Sequence, residues 1–307
     1  MCHQLRFITG IHVLTTQTEL SMSKKKENYL VVSDNLPKHI KKGHQLVFSR
    51  QDLTAREADM FALMIAHMTS HDWKNKTPQY QFSAQQLSDW LKIDSKHIGS
   101  NLSPVANRLA SRKIGIKQEF EHKDTEFDYK PLFKHIAYKN GTLTMVPNDM
   151  LKSEYIAYNQ GFALINTYNF FNIKKEYSKR LYEILSRFKD SGTQVQPLSI
   201  QELKGLFGLL NEAGKLKKEK SSFNKTSVFM QRCIRDSIDE LANHPSTQEE
   251  IRFLTSEKGE LGYELQKQGN AIISIRFLYE WINQRSKKTE DADSPALLEA
   301  PTTVDSK

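Results

Sequence analysis

Residues 82–91, FSAQQLSDWL, and residues 198–207, LSIQELKGLF, follow one plan. Each sets an apolar residue before a serine and places Gln or Glu three positions after it. Ser83 with Gln86, and Ser199 with Glu202, have the form of capping boxes. In that arrangement the serine takes an orphan N–H of the helix start while the third residue reaches back to the serine's own N–H. Leu87, Trp90 and Leu91 of the first copy correspond to Leu203, Leu206 and Phe207 of the second, so the two helices share an apolar face as well as a start. A chain that repeats a helix start together with its buried face is expected to build the same small unit twice.

The surroundings of the two copies extend the parallel. Before the first lies DLTAREADMFALMIAHM, with a further capping box at Thr54 and Glu57 and an apolar face of Met60, Phe61, Met64, Ile65 and Met68. Before the second lies KEYSKRLYEILSRFKDSG, with Tyr177, Leu181, Ile184, Leu185 and Phe188 at comparable spacing and Gly192 at its end. After each copy comes a third helix. In the first half it is DSKHIGSNLSPVANRLASRKI, capped by Asp94 or Ser95, with Ile98, Leu102, Val105 and Leu109 facing in; Pro104 predicts a kink or a division. In the second half it is FNKTSVFMQRCIRDSIDEL, whose stripe is Phe229, Ile234, Ile238 and Leu241. A strand pair is expected after each third helix: IGIKQEF with FKHIAYKNGTLTMV, turning at Asn140-Gly141, and IRFLTSEKG with AIISIRFLY around a polar tip. Helix, helix, helix and hairpin, twice over, predicts an α+β chain of two tandem winged-helix domains, each a helical core with a β-hairpin wing.

The expected divisions are an N-terminal extension over 1–35, a first winged-helix domain over 36–150, a second over 151–285 and a disordered tail over 286–307. Met22 is as good a start as Met1, and residues 1–21 are given no function. The aromatic-rich stretch between the halves, YIAYNQGFALINTYNFFNIKKEYSKRLYEIL, is read as core at a seam rather than as a base-stacking platform.

Composition narrows the function classes. A chain of 307 residues has room for about two domains, and a formal net charge of +8 favours a polyanionic partner. Two distant cysteines make no disulfide framework and suit a reducing cytoplasm. No apolar run approaches the roughly 20 residues that span a bilayer, and the opening residues lack the charged start and cleavage site of a signal peptide. There is no G-x-x-x-x-G-K-[ST] phosphate loop. His67 and His71 lack the glutamate of a zinc hydrolase and are read as a solvated pair at a helix end. The H-x-H pair of a rolling-circle nickase is missing. The expectation is a binding protein with no catalytic residue, metal or cofactor; a relaxase or nuclease is the opposing class.

In a winged helix the third helix enters the major groove, where each base pair shows a distinct set of donors and acceptors. Arg232 and Arg235 suit guanine edges or phosphates, Gln231 suits adenine, and Lys225 and Ser227 at the helix start suit phosphates. In the first half Lys96, Ser100 and Asn101 offer polar contacts, and Arg108, Arg112 and Lys113 are candidates for the DNA backbone.

These segments resemble the iteron-binding plasmid replication initiators of the RepE and π type. LVFSRQDLTAREADMFALMIAHM is similar to that family's opening segment and YQFSAQQLSDWLKI to its first helix-turn-helix; SKRLYEILSRFKDSG, LSIQELKGLF and FMQRCIRDSIDEL follow in the family's order, over roughly residues 36–280. The last matches a family pattern at Phe229, Arg232, Ile234, Ser237-Ile238 and Glu240-Leu241. The family's Lys-Thr-Asp and Lys-Lys-Gly-Arg wing is replaced by a longer, partly acidic stretch, so wing contacts from Lys258 or Lys267 do not carry over, whereas Gln231, Arg232 and Arg235 do. The resemblance implies a cytoplasmic initiator whose monomers bind direct repeats (iterons) of double-stranded DNA at a theta-type origin and help to melt an adjacent A·T-rich region. It also implies dimers that bind an inverted-repeat operator and repress the initiator's own gene, and recruitment of the host initiator and replicative helicase. A winged-helix repressor without initiator activity is the alternative.

Overall fold

A computed structural model describes residues 30–31, 34–73, 77–114, 130–156, 158–211 and 213–282. Strand β1 (His39–Gly43) leads through a short helix, His44–Val47, and a loop into α1 (Ala55–His67). The Thr54 capping box forms: the Glu57 carboxylate accepts from the Thr54 N–H at 2.9 Å, and the Thr54 hydroxyl accepts from the Glu57 N–H. Strand β2 (Tyr80–Ser83) runs straight into α2 (Ala84–Leu91), with the Ser83–Gln86 box in place. Lys92, at φ 53°, ends α2, and the Asp94 carboxylate caps the turn before α3 (Ile98–Ser111). Pro104 neither kinks α3 into two elements nor stops it; the residue lies on the exposed side, while Ile98, Leu102, Val105 and Leu109 are buried. Strands β3 (Phe133–Lys139) and β4 (Thr142–Pro147) make the hairpin at Asn140-Gly141, both at positive φ, and β4 also pairs with β2. Most of the other strand expected here, residues 114–120, lies outside the described residues, as do 1–29 and 283–307.

The second half repeats the order with a different finish. Strand β5 (Phe162–Asn166) returns to pair with β1, Ile40 opposite Ile165, so contacts with the first half continue as far as Asn166. Then come α4 (Glu176–Ser186), a two-residue strand β6 (Leu198–Ser199), and α5 (Ile200–Leu206), which starts at the Ser199–Glu202 capping box. Helix α6 begins as Thr226–Phe229, passes through a π-helical turn at Met230–Arg235 and ends as Asp236–Asn243. That turn rephases the buried side to Phe229, Met230, Cys233, Ile234, Ser237, Ile238 and Leu241, a wider face than a regular wheel gives.

The second strand pair differs from the expected one. Strand β7 (Ile251–Phe253) pairs with β10 (Tyr279–Trp281), and the wing is made by β8 (Tyr263–Gln268) and β9 (Ala271–Phe277), closed at Gly269-Asn270. Residues 254–262 form a separate loop, with Thr255 bridged to Leu261. Within Tyr-Glu-Leu-Gln-Lys-Gln the alternation of apolar side chains stops at Leu265, which hid β8 inside the expected polar tip. Strand β9 pairs with β6 as β4 pairs with β2. The repeated decapeptide is therefore a sheet strand that becomes a helix at a capped serine, and the residue before each serine packs toward the core.

The aromatic stretch between the halves contributes Tyr155, Phe170 and Tyr182 to the core. His67 is not solvated: its ring stacks on Trp90 and meets Phe82 edge-on, while Nδ1 lies 2.9 Å from the Leu63 carbonyl. Burial lowers its pKa.

Helix α4 is buried on all sides from Ser178 to Ser186, charged residues included. Lys42 Nζ of β1 lies 2.7 Å from Glu183 Oε1 and donates to Gln51 at 3.2 Å. Arg180 Nη1 lies 2.8 Å from Glu183 Oε2, Nε donates to the Leu206 carbonyl, and Nη2 donates to the carbonyls of Val47 and Ser49. Lys179 Nζ sits 2.7 Å from Asp59 of α1 and donates to the Phe170 carbonyl. Burial by itself would raise the Glu183 carboxyl, but Lys42 and Arg180 together hold it below its ordinary value of 4.5; burial brings the Lys42 ammonium down to about 8 despite Glu183. A carboxylate with a depressed folded pKa stabilises the fold above its unfolded pKa, and that contribution is lost as the pH falls through the folded pKa. Glu183→Gln should cost about 3–5 kcal/mol at neutral pH by leaving buried cations without their counter-charge. It should also shrink the loss of stability that the wild type shows as the pH drops below about 4.5. Urea unfolding over that range checks both; an unchanged pH profile in the variant would exclude Glu183 as a source of the slope.

Candidate nucleic-acid interface

Lys225 precedes α6 in extended conformation, and its side chain is exposed together with Ser227, Gln231 and Arg232. These residues lie opposite the buried Phe229, Cys233 and Ile234, which seat the helix against Phe207, Phe223 and the rest of the core. Gln231 Nε2 donates to Asp236 Oδ1 at 2.7 Å. The Arg232 guanidinium lies over the Phe223 ring, 5.9 Å from its centroid, and among the described residues no carboxylate pairs with it. An arginine held over an aromatic face with its donors toward solvent is preorganised for a planar acceptor such as a guanine edge or a phosphate.

Arg235 is placed differently. Its Nε donates to the Tyr263 hydroxyl at 2.8 Å, Nη2 lies 3.4 Å from Glu260, and the Tyr263 hydroxyl donates to Glu260 at 2.6 Å. This joins α6 to the base of the wing. The same joint is tight in its backbone: Gly262 has φ +78°, and a Cβ there would lie 2.8 Å from Ile238 Cγ2. Lys267, Gln268 and Asn270 at the wing's far end are exposed.

In the first half Lys96, Ser100 and Asn101 form an exposed row at the start of α3, with the Ser100 hydroxyl donating to the His97 carbonyl. Lys113 is exposed just beyond the helix. Arg108 and Arg112 turn back to the protein. Arg108 Nε lies 2.8 Å from Glu57 Oε1, and Arg112 reaches Glu57 Oε2 at 3.0 Å and Asp52 Oδ2 at 3.3 Å. Glu57 is fully buried, and a buried carboxylate requires such partners. Both arginines thus lock α3 to the start of α1, although Arg108 keeps part of its side chain in solvent.

Sequence reasoning passed over the lysines of GKLKKEK. Lys215 and Lys218 are exposed on the approach to α6, whereas Lys217 pairs with Asp52 and Lys220 with Glu176. The density of lysines just before a third helix was the available signal. Among the described residues no helix is long and apolar enough to cross a membrane.

If the Arg235–Tyr263 link fixes the wing on α6, removing either side should show coupling. Arg235→Ala and Tyr263→Phe should each lower stability by about 1 kcal/mol, and the double variant should lose clearly less than the sum. Additive losses in urea unfolding would show that the bond contributes nothing to the joint.

Residues 39–186 match the initiator replication protein family over its WH1 domain. No curated protein sequence matches the chain. Among solved structures, the crystal structure of Pi initiator protein in complex with iteron DNA has the same fold: TM-score 0.60, 16% sequence identity, covering 82% of this chain and 100% of that one. Such coverage takes in both halves, whereas the family match ends with α4 at Ser186. The family match thus covers just under half of the chain, residues 39–186, and identifies that stretch as similar to the WH1 domain of initiator replication proteins.

Proposed function

We propose that this chain is a plasmid replication initiator that binds direct repeats of double-stranded DNA, with α6 and α3 entering major grooves on one duplex. The observation that carries this reading is the exposed polar face of α6, in which Arg232 stands beside Gln231, Ser227 and Lys225 and, among the described residues, has no carboxylate partner. The matched family and the fold shared with an initiator bound to iteron DNA support it. Helix α6 is the base reader, and Arg235 acts from the wing joint. Lys96, Ser100 and Asn101 supply the polar contacts of α3, with Lys113 at the backbone and Arg108 lending its exposed portion to a phosphate. Arg112 serves by holding α3 in place.

The resemblance extends the proposal. Bound monomers promote melting of adjacent A·T-rich duplex and recruit the host initiator and replicative helicase. Dimers formed through the first half bind an inverted operator and repress the initiator's own gene. Contacts along successive turns can offset the cost of deforming the duplex, of order 1–6 kcal/mol for a bend.

Binding to a repeated sequence from the flanking DNA should weaken steeply with salt, reflecting neutralised phosphates. Arg232→Ala should cost about 1–3 kcal/mol on the repeat and much less on scrambled DNA of equal length. An equal loss on both would make Arg232 a phosphate contact. An origin fragment carrying this gene should replicate autonomously in a suitable host; repression of the promoter without replication would favour a repressor.

A further inference from the structure

We propose that the loop between the His44–Val47 helix and α1 sets the distance and rotation between α3 and α6, and that Asp52 is its chief positioning residue. The inference rests on the DNA-binding role given above. It makes the spacing between the two contacted halves of a repeat a property of this loop.

The loop is gripped from both halves at neighbouring positions. Arg112, at the end of α3, reaches Asp52 Oδ2 at 3.3 Å, and Lys217 reaches that same oxygen at 2.7 Å. Lys217 is the residue from which the turn Lys218–Asn224 starts, and that turn leads directly into α6. One carboxylate oxygen therefore lies between the end of one third helix and the approach to the other.

The remaining contacts hold the loop's backbone. Arg180 of α4 donates to the carbonyls of Val47 and Ser49 and also to Leu206 at the end of α5. Arg50 Nη1 donates to the Asn211 carbonyl at 3.4 Å. Gly208, at φ +69° just after α5, lies so close that a Cβ would overlap the Gln51 carbonyl and come within 2.6 Å of Asp52 Cα. The second half thus rests on the loop's main chain without an intervening side chain. Movement of the loop would break contacts on both sides together.

The consequence for DNA is geometric. A duplex turns by about 34° per base pair, since a turn takes 10–10.5 pairs. Two helices held at a fixed angle can both enter their grooves at one spacing only, so an extra base pair between the half-contacts rotates one of them out of reach. A loose tether would tolerate the change.

The experiment uses the full chain and synthetic duplexes bearing the native repeat, the repeat with one base pair added or removed between the half-contacts, and each half-contact alone. The wild type should bind the altered spacings roughly tenfold more weakly than the native one, the scale of a mismatched pair. Asp52→Ala should lose most of that preference while keeping wild-type affinity for the single half-contacts. Lys217→Gln leaves the Arg112 contact in place and should lose part of the preference; it decides the matter if Asp52→Ala does not fold by circular dichroism. A folded variant that keeps the full wild-type preference overturns the proposal, as does a wild type that binds all spacings equally. A wild type that binds no repeat refutes the DNA-binding role itself, a separate outcome.

Discussion

Glu183 lies in the middle of a helix with no solvent-facing side, and it holds Lys42 of β1 and Arg180 of its own helix at 2.7 and 2.8 Å. Removing such charges from water costs several kcal/mol per ion, and pairing alone seldom returns a net gain. What the network adds is direction. An apolar seam packs by shape and tolerates small slips, whereas Arg180 spends its donors on three particular carbonyls, those of Val47, Ser49 and Leu206. Two of those carbonyls belong to the segment before α1 and the third to the end of α5 in the second half. Moving one half against the other would strand buried donors, which is far costlier than sliding methyl groups.

This network explains why α4 was misjudged as an ordinary amphipathic helix. Its apolar residues Leu181, Ile184 and Leu185 are core, as spacing predicted, but Lys179, Arg180 and Glu183 are core as well. A charged face at helical spacing is normally a solvated one. It is enclosed by β5, α1 and the end of α6 together, elements far apart in sequence. The same limit applies to Arg108 and Arg112: their partner Glu57 was visible as a capping residue, but its complete burial was not.

Features whose cause is local were legible. The capping boxes at Thr54, Ser83 and Ser199 depend on side chains reaching three residues along, and all form. Asn140-Gly141 turns as its conformational preferences require. Boundaries that depend on partners were not legible. Strand β8 was hidden because its partner β9 supplies most of the wing's apolar residues, and the π turn in α6, with Met230 and Cys233 both buried, departs from the spacing of a regular wheel. On the candidate interface, composition singled out Gln231, Arg232 and Arg235 together; only the contacts distinguish an arginine facing solvent from one bound to Tyr263.

That distinction gives the two halves different electrostatic characters. The exposed row on α3 is Lys96, Ser100 and Asn101, and the arginines later in that helix neutralise Glu57 and Asp52. On α6 the corresponding exposed side has Lys225 and Arg232, with Lys215 and Lys218 on its approach. In the proposed complex the second half would supply Lys225, Arg232, Lys215 and Lys218 to salt-dependent attraction, and the first half Lys96, Lys113 and the exposed part of Arg108 beside the neutral donors Ser100 and Asn101. Under that proposal the alignment of α3 follows the docking of α6 through Asp52 and the Arg180 carbonyl contacts. In such a complex the seam would let the second face add specificity at no further orientational cost, because the first to dock would already have brought it into register.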